Sequence, residues 1–106
     1  MQLQYTVKKE YTFEGKGLHT GKMARMTVKP APADTGIVFR RTDLGEDATV
    51  AALAENVSNT ARSTTISSGE VSVSTIEHIL SALTGMGVDN AYVDIDNVEV
   101  PILDGS

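Results

Sequence analysis

Apolar and polar residues alternate in short runs along this chain, and one stretch changes period. Leu3, Tyr5 and Val7, then Tyr11 and Phe13, occupy alternate positions and predict one or two strands ending near Glu14. Ala24, Met26 and Val28 alternate again, and the apolar run 37–39 ("IVF") predicts a short strand paired with them. Between them "KPAPADTG" supplies prolines and a glycine, which enforce a turn. Residues 40–47 are charged and loop-like, and "ATVAALAENV" (48–57) is mixed, readable as a strand or as a short second helix. Residues 64–66 and 71–73 flank "SSGE", a hairpin signal. The period then switches: Ile76, Ile79, Leu80 and Leu83 recur at i, i+3, i+4 and i+7, one buried helical face, with Gly85 and Gly87 as its stop. From residue 91 period two returns, with Ala91, Val93 and Ile95 inward and Tyr92, Asp94 and Asp96 outward. The order predicts an α+β two-layer sandwich: a mostly antiparallel sheet with two helices on one face.

Composition narrows the function classes. A chain of 106 residues is one domain or a piece of a larger protein, and 41% hydrophobic with 22% charged residues is globular. A net charge of −5, with Lys and Arg scattered, argues against nucleic acid or an anionic membrane surface. The pairs Lys8-Lys9 and Arg40-Arg41 read as solvated positions. The absence of cysteine removes disulfides, thiolate nucleophiles and Cys-based zinc sites. No run approaches the roughly 20 apolar residues of a transmembrane span, and the N-terminus lacks the apolar core of a signal peptide. A cytoplasmic protein is expected. "VPILDGS" closes the chain directly after an apolar run, which reads as a cut at a domain boundary.

Three motifs bear on chemistry. "EGKGLHTGK" could let backbone amides approach a phosphate, but five residues separate Gly15 from Gly21 and Met23 follows Lys22, so the Walker spacing fails. A tight strand connection is the better reading. Asp94, Asp96 and Glu99 lack calcium-loop spacing and read as a solvated strand face. In "STIEHILSAL", Ser74 and Glu77 match the capping box S-x-x-E, in which each side chain bonds the other residue's backbone N–H. On a helix of about 100° per residue, Glu77 borders the apolar face and His78 points away from it. The helix N-terminus favours an ionised Glu77, suited to a base, and a neutral imidazole, suited to a metal. A catalytic zinc needs about three protein ligands. The chain has two histidines, His19 and His78, so any metal at His78 would need ligands from another domain.

"GKGLHTGK", "KPAPADTGIVFRRTD", "VSTIEHILSALTGMGVDNAYVDID" and "VEVPILDGS" occur in the order seen in UDP-3-O-acyl-N-acetylglucosamine deacetylases. The chain resembles the N-terminal domain of these zinc enzymes of Gram-negative lipid A synthesis. The resemblance implies a fold like domain 2 of ribosomal protein S5, and a two-domain parent of which 1–106 is the first domain. It implies that Glu77 is the general base and His78 one zinc ligand, with the other ligands, in an H-x-x-x-D pattern, on the second domain. His19 and Asp104 fall near the family's cleft, and "NTARSTT" (59–65) lines it. The implied partners are the chain's own C-terminal domain and a UDP-sugar lipid precursor, and the first domain alone should be inactive. The competing reading is a non-catalytic interaction module in which Glu77 only caps a helix.

Overall fold

The computed structural model describes residues 3–45, 47–60 and 63–102. Alternation decides the first pairing. Ala24, Met26 and Val28 form the inner face of β2 (Met23–Pro30), each at most 3% exposed, and β1 (Tyr11–Lys16) pairs antiparallel with it, Phe13 opposite Met26. The first predicted alternation thus becomes a strand only from Tyr11. Among the described residues before it there is one bridge, Thr6 with Asn90.

The run 37–39 forms β3 (Ile37–Arg41), but it does not pair with β2 as expected. β8 (Ala91–Ile95) lies between them, antiparallel to β2 and parallel to β3, and β4 (Thr49–Ala51) completes the order β1-β2-β8-β3-β4. The reason is the turn at 31–36, which is wide enough to skip a strand. Asp34 and Gly36 take positive φ of 69° and 73°, and Asn90 at the head of β8 accepts the Gly36 N–H. The vacated position goes to the most regular alternation in the chain, whose Ala91, Val93 and Ile95 are fully buried.

A second sheet has three antiparallel strands in sequence order, β5 (Val57–Asn59), β6 (Thr65–Ser68) and β7 (Val71–Ser74). The predicted hairpin is its β6–β7 pair. Ser68 faces Val71 across Gly69-Glu70, and Gly69 supplies the positive φ that a two-residue loop demands.

The helix α1 (Glu77–Gly85) carries the predicted face: Ile79 and Leu83 are buried, Ile76 just before it is buried too, and Leu80 packs against the core. Its end is a Schellman motif. The Val88 N–H donates to Leu83 O and the Gly87 N–H to Thr84 O, with Gly87 at φ 74°. Met26, Val28, Phe39, Val50, Ile66 and Val73 meet this face in one hydrophobic core. No helix among the described residues is long and apolar enough to cross a membrane.

Two further expectations fail for identifiable reasons. The second helix is absent from the described residues: 48–57 yields β4 and one 3-10 turn, Ala54–Asn56. Strand pairing claims its backbone, since Ala51 pairs with Val38 and the Ala52 N–H donates to Ile37 O. Neither member of Arg40-Arg41 is simply solvated. Arg40 grips Asp94 with two N–H groups and lies 4.2 Å from the centroid of the Tyr92 ring. Arg41 is buried, grips Asp43, and donates from Nη1 to Ser72 O at 2.9 Å, linking β3 to β7 across the two sheets.

The helix face should dominate stability. Leu83→Ala removes a side chain 1% exposed and should cost about 2–5 kcal/mol in urea unfolding. Met86→Ala, 66% exposed, should stay within about 0.5 kcal/mol.

Candidate functional site

The glycine loop between β1 and β2 is closed on itself, with the Gly17 N–H donating to Lys22 O and the Gly21 N–H to Gly17 O. This geometry turns consecutive amides toward one point. The His19 N–H lies 3.0 and 3.1 Å from the two carboxylate oxygens of Glu99, and the Thr20 N–H lies 2.8 Å from Oε1. The loop does cradle an anion, and the anion is internal. A Cβ on Gly17 would collide with that carboxylate and with Thr20 Oγ1, so position 17 is limited to glycine by space rather than by φ.

Glu99 itself is 1% exposed, so it is not on the solvated face expected for it. Two more groups complete its shell: His19 Nδ1 at 2.9 Å and Thr75 Oγ1, donating at 2.6 Å. Burial pushes this carboxyl up, but hydrogen bonds from Thr75, Thr20 and His19 outweigh burial and hold it down at about 2. Every lone-pair direction is occupied. Glu99 is therefore a fixed structural anion and not a base.

Thr75 carries the arrangement to the helix. It is buried and adopts φ 61°, a left-handed conformation costly for a β-branched residue. On one side, the Ser74 N–H donates to Val98 O and Ser74 O accepts from the Val100 N–H. On the other side Thr64 clamps the helix start: its C=O accepts the Ile76 N–H at 3.3 Å, and its N–H donates to Glu77 Oε1 at 3.2 Å. The kink between these two attachments swings the chain from β7 into α1.

The capping box expected of Ser74 and Glu77 is not formed. Ser74 belongs to β7, the N-cap position is Ile76, and no side chain caps the helix. The Ser74 N–H that Glu77 would have bonded is spent on Val98, and Glu77 turns to Thr64 instead. Glu77 is half-buried in the first turn, its Oε2 without a protein donor among the described residues, and His78 beside it is exposed. His19 sits on the neighbouring loop, its side chain 38% exposed. Asp104 lies outside the described residues. Among the described residues no three His, Asp or Glu side chains converge on a metal-sized site.

Sequence alone marks neither Thr75 nor Gly17 as a site residue, and it reads Glu99 as part of a solvated face. The signal available was a single carboxylate inside the apolar run "VEVPI", where an unpaired charge would be costly.

The fold and this arrangement define an α+β domain whose polar groups gather at the start of its one described helix, tied to a glycine loop through a buried carboxylate. Residues 4–106 match the family of UDP-3-O-acyl N-acetylglycosamine deacetylases, and the chain belongs to that family. It is 57% identical, over all of its length, to the UDP-3-O-acyl-N-acetylglucosamine deacetylase of Citrifermentans bemidjiense, of which it covers 35%. It is 52% identical over 103 residues to the enzyme of that name from Teredinibacter turnerae, covering 34% of it. The same identity and coverage hold for the Pseudomonas entomophila enzyme. The chain thus spans about a third of the length of these curated relatives.

The depressed carboxyl of Glu99 has a pH signature. Its folded value, about 2, lies below the ordinary 4.5, so its stabilisation is complete above pH 4.5 and is lost as pH falls toward 2. Unfolding free energy should therefore decline over that window, and Glu99→Gln should flatten the Glu99 share of the slope while lowering stability at pH 7. An unchanged slope in the variant would contradict the assignment.

Proposed function

We propose that this chain is the N-terminal domain of a hydrolase that removes the N-acetyl group from a UDP-linked 3-O-acyl-glucosamine in lipid A synthesis. Family membership across nearly the whole chain supports it, and so does one observation of geometry: among the described residues Glu77 is held through Oε1, by the Thr64 N–H, and its Oε2 has no described protein donor. In this reading Glu77 takes a proton from the attacking water and gives it to the departing amine. The position suits the task, because the first turn of a helix favours the ionised carboxylate and the Thr64 N–H fixes its direction.

His78 is the residue of this chain we assign to a zinc site, as one nitrogen donor, with the remaining ligands on a second domain. His19, on the loop anchored by Glu99, and Asp104 belong to the substrate cleft. Leu18, next to His19 in the chain, and Met23, at the start of β2, are 62% and 59% exposed and suit a surface that the second domain or the acyl chain would cover. A cytoplasmic location and an S5 domain-2-like fold complete the proposal.

In a protein of the relatives' full length, Glu77→Ala should lower kcat by a factor on the order of 10² to 10⁴ and leave zinc content nearly intact. His78→Ala should lose zinc as well, read by metal analysis of the purified protein. Preserved turnover in Glu77→Ala, with only a lower Tm, would contradict Glu77 as the base and leave it a structural residue of the helix start.

A further inference from the structure

Resting on the reading of His19 as a cleft residue, we propose that Glu99 is a positioning residue that fixes the proton of His19 at Nδ1 and leaves Nε2 as the atom shown to substrate. The argument is one of donors and acceptors. An ionised carboxylate only accepts, so a ring nitrogen 2.9 Å from Glu99 Oε2 has to carry hydrogen. Nδ1 therefore stays protonated whether the imidazole is neutral or cationic, and only Nε2 changes state. The alternative tautomer would set a nitrogen lone pair against a buried anion already filled by Thr75, Thr20 and the His19 amide.

The same carboxylate binds both the ring and the backbone N–H of His19, so the residue is held at two points by one group. Glu99 is almost wholly enclosed while the His19 side chain is 38% exposed, so the free nitrogen lies at the accessible end. Neutral Nε2 is then an acceptor for a substrate hydroxyl or amine hydrogen, and protonated Nε2 is a donor to an anionic oxygen. Because Oε2 also accepts from Thr75, two residues before Glu77, His19 and the helix start keep a common reference point.

The test is the long-range proton–nitrogen spectrum of histidine-labelled protein of the relatives' full length, at a pH where imidazole is neutral. The wild type should show His19 in the Nδ1–H form, and Glu99→Met should release it toward Nε2–H. The variant's kcat/KM should fall on the order of tenfold to a hundredfold, as for other groups that orient a functional histidine. His19 in the Nε2–H form in the wild type, or an unchanged tautomer in Glu99→Met, would overturn the proposal. If the variant does not fold, the wild-type spectrum alone decides. Failure of the deacetylase reading is separately visible: the wild-type protein would then release no acetate from a UDP-linked 3-O-acyl-N-acetylglucosamine, whatever the tautomer of His19.

Discussion

A carboxylate stripped of water stays ionised only where protein donors replace its hydration, and Glu99 is so supplied. Backbone amides come from the glycine loop, a ring nitrogen from His19, and a hydroxyl from Thr75. Each donor belongs to a piece of chain that the sheets alone would leave loose. The loop between β1 and β2 makes two backbone bonds to itself, and Thr75 occupies a conformation it would not choose. Removing the carboxylate would strand all of these donors together, which is why the site geometry depends on this group more than on any other polar contact described.

The remaining polar ties secure the frame around it. Arg41 joins β3 to β7 from a buried position, so the three-stranded sheet, whose last strand ends at Ser74, is tied to the five-stranded one. Asp94 receives both Arg40 and Lys29, drawing β2, β8 and β3 together on the outer face. Burial pushes the Asp94 carboxyl up, but its two cations prevail and hold it below the ordinary carboxylate value. Within this frame Thr64, just before β6, lies against the helix start, and Glu77 is directed by a backbone amide rather than by a cap. The helix can therefore begin with an oriented carboxylate and an exposed imidazole side by side.

Periodicity exposed most of the scaffold, because burial imposes it. The face of α1, the alternation of β2 and β8 and the β6–β7 hairpin all follow from which residues avoid water. Strand order was hidden, since whether "IVF" meets β2 or β8 depends on where a turn lets the chain land and on the Asn90 contact to Gly36. The 48–57 segment misled because Ala, Leu and Glu suit helices while β3 offered the same backbone a ladder. At the site, Glu77 and His78 were visible through their motif. Glu99 was not, because a buried carboxylate and a solvated one look alike until the glycine loop, far away in sequence, is folded over it. Ser74 and Glu77 matched a capping pattern whose atoms were already engaged by Val98 and Thr64.

One carboxylate mechanically joins the His19 loop to the segment that opens the helix. Amide hydrogen exchange at His19 and Thr20 tests it most directly when the perturbation is placed on the far side of that carboxylate, with Thr75→Val. That change keeps the β-branched shape and deletes a single donor to Glu99. If the two segments are joined through Glu99, exchange at both amides accelerates although neither residue touches Thr75 through any other described bond. Unchanged rates at His19 and Thr20 in the folded variant would contradict it.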